Sequence, residues 1–72
     1  MPKPILLKGD HITLAQAVKQ AGLAETGGQA KHLVRGGTLR VNGIAEARPA
    51  RKLRAGDRLD DNAGHEWVVH RG

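Results

Sequence analysis

The sequence predicts an α+β fold: two packed helices followed by a small, mostly antiparallel β-sheet, with N- and C-terminal strands added to it. Three observations predict this. The pattern Thr-x-x-Gln occurs twice, at Thr13 to Gln16 and at Thr26 to Gln29, each time ahead of apolar residues at helical spacing. Asn42-Gly43 separates two strand-like runs and is the strongest short signal for a tight hairpin. Further on, Arg58-Leu59-Asp60 and Glu66-Trp67-Val68-Val69-His70 read as short strands joined by the turn Asp61-Asn62-Ala63-Gly64.

Taken in order, Pro4-Ile5-Leu6-Leu7-Lys8 is a short strand leading into the turn signal Gly9-Asp10. Thr13 is a good N-cap, and Gln16 completes a capping box. Leu14, Ala17, Val18 and Ala21 then follow at i, i+3, i+4 and i+7, so a helix is expected over 14–21, ended by Gly22. The second box starts another helix, which Gly36-Gly37 stops. Ala30, Leu33 and Val34 lie on one side of it, and Gly28, Lys31, His32 and Arg35 on the other. Thr38–Val41 reads as a strand and Ile44–Glu46 as its return, with Val41 opposite Ile44. Pro49 stops regular pairing, so 47–52 is expected as a loop, followed by a turn at Arg54-Ala55-Gly56-Asp57.

Seventy-two residues make one domain over 1–72, and a chain this short buries only about 60% of its unfolded surface. That leaves no room for a spacious substrate pocket beside the core. Cysteine is absent, which excludes disulfides and thiolate metal sites and suits a reducing compartment. Three consecutive apolar residues at 5–7 fall short of the roughly 7 needed for a signal peptide and the about 20 needed for a membrane span. A soluble, cytoplasmic monomer is expected.

The net charge is +5, and it is not spread evenly. Between Thr26 and Arg54 stand Lys31, Arg35, Arg40, Arg48, Arg51, Lys52 and Arg54 against one acid, Glu46. This segment alone carries +6, while the rest of the chain sums to −1. Concentrated base favours a polyanionic partner. Modules that stack bases need several exposed rings, and Trp67 is the only aromatic residue of this kind. A nucleic acid would therefore be bound through backbone charge and shape.

These residues resemble the S4-like RNA-binding domain. The resemblance spans residues 12–60 and is carried by Gly28-x-Ala30-Lys31-x-Leu33-Val34-x-x-Gly37, by Leu39-x-Val41-Asn42-Gly43, and by Arg51-x-Leu53-x-x-Gly56-Asp57-x-Leu59. Within that superfamily the chain looks most like the small stand-alone bacterial members, through Thr26-Gly27-Gly28-x-Ala30-Lys31 and Arg48-x-x-Arg51-Lys52-Leu53. Many S4 domains open the first helix with Arg-Leu-Asp, where this chain has Thr13-Leu14-Ala15. The resemblance therefore implies an RNA face built from the second helix and the loop after the hairpin. It further implies structured RNA as the partner, ribosomal RNA or a ribosome-bound tRNA, and the ribosome itself as a setting for assembly or quality control.

The RNA-binding set expected is Gly28, Lys31, His32, Arg35, Arg48, Arg51, Lys52 and Arg54. For the helix face the plain alternative is a solvated surface. Four cations over 48–54 without a carboxylate among them shift the balance, because a loop has no folding reason to accept that repulsion. Gly27-Gly28 either offers free N–H groups to a phosphate, or forms a tight turn, or admits a close backbone approach. No Gly-Lys-Ser/Thr follows, so this is not a nucleotide-hydrolysis loop. Asn42-Gly43 and Gly56-Asp57 are read as structural turns, and Trp67 as a core or sheet-edge residue. His65 and His70 would point to opposite faces of a strand, so no metal site and no cofactor is expected. The chain lacks serine and shows no nucleophile–base pair, so no catalytic residue is expected. Charge alone does not separate RNA from DNA. A ribosome-associated protein-interaction module with secondary RNA contacts, and a small β-grasp carrier, remain as alternatives.

Overall fold

The computed structural model describes residues 2–71 and has the α+β arrangement expected from the sequence. Among the described residues the elements run β1 (Lys3–Leu7), β2 (Ile12–Thr13), α1 (Leu14–Gln20), α2 (Gly27–Arg35), β3 (Arg40–Val41), β4 (Ile44–Ala45), β5 (Lys52–Leu53), β6 (Arg58–Asp60) and β7 (Glu66–Arg71). Five strands form one sheet in the order β1-β7-β6-β3-β4, parallel only between β1 and β7. The two remaining strands, β2 and β5, pair antiparallel by themselves.

The two helices start as their sequences predict, with one difference. At α1 the Thr13 hydroxyl accepts from Gln16 N at 3.2 Å, and Gln16 Oε1 accepts from Thr13 N at 3.0 Å, closing the capping box. Its end is a Schellman turn: Gly22 takes φ +82°, and Leu23 N donates to Val18 O at 3.1 Å. At α2 the Thr26 hydroxyl accepts from Gln29 N at 3.1 Å, but Gln29 Oε1 takes the N–H of Glu25, at 2.9 Å. Thr26 has φ −130° where Thr13 has −75°, and that rotation turns its own N–H away from the glutamine. The Thr26 hydroxyl is thus the cap that α2 depends on. Replacing Thr26 with Ala is expected to cost about 1 kcal/mol in urea denaturation; an unchanged midpoint would refute that role.

The hairpin forms in the expected register, Val41 opposite Ile44, with Asn42 at φ 53° and Gly43 at φ 84° as a type I′ turn requires. Asn42 does more than turn the chain. Its Nδ2 donates to Asp57 Oδ1 at 3.1 Å, and its Oδ1 accepts from Arg58 N at 2.9 Å. The other Asp57 oxygen accepts from Arg54 N at 2.8 Å, so the hairpin tip and the Arg54–Asp57 turn are one bonded unit.

Most element ends fall within one residue of expectation, and two differences bear on the site. The strand expected over Thr38–Val41 is regular only at Arg40–Val41. The loop expected over 47–52 gives up Lys52 to β5, which pairs with the residues just before α1: Ile12 with Leu53 and Thr13 with Lys52. Leu53 is buried, and burial of that side chain sets the pairing in place.

One apolar cluster joins both layers. Ile5, Leu7, Leu59, Trp67 and Val69 come from the sheet, Leu14, Ala17, Val18, Ala30 and Val34 from the helices. Trp67 is 5% exposed and is a core residue. The outer edge of β1 is blunted: Pro4 has no N–H to offer, and the Gln20 amide engages both Leu6 N and Leu6 O.

Candidate nucleic-acid interface

The basic face begins with the periodicity of α2. Ala30 and Val34 point into the core, which leaves Gly28, Lys31, His32 and Arg35 exposed on the other side. The residues from Arg48 to Arg54 reach the same region because their backbone is tied down. Leu14 N donates to Arg51 O at 2.8 Å, and Ala15 N donates to Pro49 O at 3.1 Å. These are two of the first-turn N–H groups that a helix cannot satisfy within itself. The basic loop therefore caps α1 with its own carbonyls, and the β2–β5 pairing fixes its far end.

The result is two adjoining clefts that share Ala50. One, of about 590 Å³, is lined by Arg48, Ala50, Arg51, Lys52, Arg54 and Asp57. The other, of about 340 Å³, is lined by Thr13, Ala15, Lys31, Arg35, Pro49 and Ala50. The fold thus brings Lys31, Arg35, Arg48, Arg51, Lys52 and Arg54 to one continuous surface with a floor of small side chains. Gly28 and His32 stay exposed on α2 but line neither cleft. An added Cβ at Gly28 would meet nothing nearer than Thr26 Oγ1 at 4.0 Å, and one at Gly27 nothing within 4 Å. No neighbouring backbone approaches either glycine closely.

The charges on this surface are of two kinds. Lys31, Arg35, Lys52 and Arg54 form no ion pair among the described residues. Arg48 and Arg51 converge on Glu46. Arg48 donates from Nε to Oε2 at 3.1 Å, from Nη2 to Oε1 at 3.2 Å and from its backbone N to Oε2 at 3.3 Å. Arg51 adds Nη1 to Oε1 at 3.0 Å. The repulsion expected within the loop is relieved by this carboxylate, which stands two residues before Arg48 on the return of the hairpin. The Glu46 side chain is only 11% exposed. Hydrogen bonds from Arg48 first, then from Arg51, outweigh the opposing effect of burial and pull its pKa down to about 2. The pair is therefore fully formed above the usual carboxylate range and is lost only as pH falls toward 2. Arg48 is correspondingly pushed upward by the same hydrogen bonds.

Arg40 is separated from this group. Its register opposite Asp60 gives an Nε–Oδ1 ion pair of 2.8 Å, and it lines neither cleft. His65 is bonded to Asp61 at 2.7 Å, and no group of three metal-ligating side chains occurs among the described residues. Asp61 is held below its usual range: burial acts against this, and hydrogen bonds from Ala63 N and from His65 overcome it. No helix among the described residues is long and apolar enough to cross a membrane.

Sequence reasoning missed Glu46 and Asp57 as parts of this surface. Glu46 had a readable signal, since it lies two and five residues before the two arginines it holds. Asp57 had none beyond its turn, because its partner Asn42 is fifteen positions away.

The S4 domain family matches residues 5–69, so the match includes both helices, the hairpin, the basic loop and most of both flanking strands. The chain belongs to the S4 domain family. No curated protein matches it. S4 domains are RNA-binding modules without catalytic function, and membership indicates RNA as the kind of partner for this S4 domain.

Proposed function

We propose that this S4 domain binds structured RNA through phosphate contacts from Lys31, Arg35, Arg48, Arg51, Lys52 and Arg54, with Gly28 and His32 at the margin of the face, and without catalysis. The whole chain acts as one such unit, as a monomer in the cytoplasm. Its RNA is ribosomal RNA or a ribosome-bound tRNA, and its role lies in ribosome assembly or quality control. The observation that supports the reading is the cationic surface around Ala50, where Lys31, Arg35, Lys52 and Arg54 form no ion pair among the described residues. Trp67 is buried, so no ring of that kind is presented for stacking. A-form RNA hides its base edges in a deep, narrow groove, which leaves backbone geometry as the feature to be read.

The test is competition between an RNA duplex and a DNA duplex of equal length, over a salt series. The RNA duplex is expected to win, with log K falling linearly at a slope of roughly −3 to −5 against log salt. Equal affinity for the two duplexes, or binding that ignores salt, would overturn the proposal.

A further inference from the structure

The Glu46 carboxylate stands at the edge of a cationic cleft, where simple electrostatics would call it a handicap. Its geometry says otherwise. It receives Arg48 side-on through Nε and Nη2, and its Oε1 is shared with Arg51 Nη1, so a single carboxylate bridges two guanidinium groups. The carboxylate is itself fixed: it accepts from Arg48 N at 3.3 Å, and Glu46 N donates to Leu39 O at 3.0 Å. Arg51 is held a second time by Nε to Lys52 O at 3.4 Å. Among the described residues nothing bonds the outer edge of each fork, Nη1 of Arg48 and Nη2 of Arg51, and both residues line the larger of the two clefts.

We propose that Glu46 is a positioning residue that sets the two guanidinium groups at a fixed separation, so that the face prefers successive phosphates of a rigid duplex backbone over those of a flexible strand. The inference rests on the RNA-binding reading above and adds the origin of its selectivity. An arginine held in place loses less rotamer freedom on binding, so the pair favours a ligand whose phosphates are already spaced to match. A flexible strand can adapt to loose arginines as well as to fixed ones, and gains nothing from the restraint. Glu46 costs the face one unit of charge and gives it geometry in return.

The two effects have opposite signatures. Glu46→Gln raises the net charge by one while abolishing the ionic clamp. The measurement is the affinity of the full chain for a short RNA duplex and for poly(U), each over the same salt series. For Glu46→Gln the duplex affinity is expected to fall about tenfold, with poly(U) binding undiminished. Arg48→Lys provides a second, charge-neutral variant, because an ammonium cannot make the two-point contact. It is expected to lower the ratio of duplex to poly(U) affinity in the same direction, and it decides the matter if Glu46→Gln does not fold. A ratio unchanged or raised overturns the role of Glu46, whichever way the two affinities move. Wild-type protein that shows no salt-dependent duplex binding overturns the RNA-binding reading and this inference together. Wild-type binding with an unchanged ratio in the variants overturns the inference alone.

Discussion

A variant carrying Lys31→Ala, Lys52→Ala and Arg54→Ala is expected to bind an RNA duplex on the order of a hundredfold more weakly near 0.15 M salt. The choice of these three follows from the ion pairs. Among the described residues none of them forms an ion pair, so each is free to displace a counterion from a phosphate. Arg51 is a poorer choice, because its removal also strips Glu46 of one of its two arginines and so disturbs the clamp as well as the charge. With three contacts removed, the slope of log K against log salt is expected to flatten by roughly 2 to 3, and the two lines to converge toward 1 M salt. Stability should move by no more than about 0.5 kcal/mol for each substitution, since all three side chains are exposed. Loss of affinity with an unchanged slope would mean that the three residues act through something other than phosphate charge.

How much of this could be read beforehand depended on the range over which each interaction acts. Both helices were legible because a hydroxyl three residues from a glutamine, and apolar residues at i, i+3 and i+4, are local patterns. The hairpin was legible for the same reason: two adjacent residues with positive φ are signalled by Asn42-Gly43. The β2–β5 pairing was not. Each strand has two residues, too few for any period, and Thr13 and Lys52 lie far apart in the chain. The direction of Arg40 was not legible either, because it depends on a register set by the β3–β6 pairing with Asp60.

The basic face was half legible. Periodicity separated Lys31 and Arg35 from Ala30 and Val34, but charge counting alone could not tell a loose loop from one stitched to the start of α1 through Arg51 O and Pro49 O. Those bonds use backbone atoms and leave no trace in residue type. The first-turn N–H groups of Leu14 and Ala15 are taken by the loop, and Ala15 is small enough to line the cleft beside Lys31 and Arg35.

Leu59→Ala separates folding from binding in the opposite sense. Leu59 is fully buried at the centre of β6, opposite Val41 on one side and Trp67 on the other. Truncating a buried leucine costs about 3–5 kcal/mol, part from lost transfer energy and part from the cavity left behind. A chain of 72 residues has a total stability of only about 4–11 kcal/mol, so much of it is lost. A drop in melting temperature of at least about 15 °C is expected. The strand that weakens also carries the Asp57–Arg58 anchor of Asn42, so the hairpin tip and the Arg54 turn should loosen with it rather than independently. RNA affinity falls only by the fraction of molecules that remain folded. Because no phosphate-facing cation is altered, the salt slope of those molecules stays at the wild-type value. A flattened slope in Leu59→Ala would show that phosphate contacts are lost in molecules that remain folded, and a melting temperature within a few degrees of wild type would show that Leu59 does not anchor the sheet.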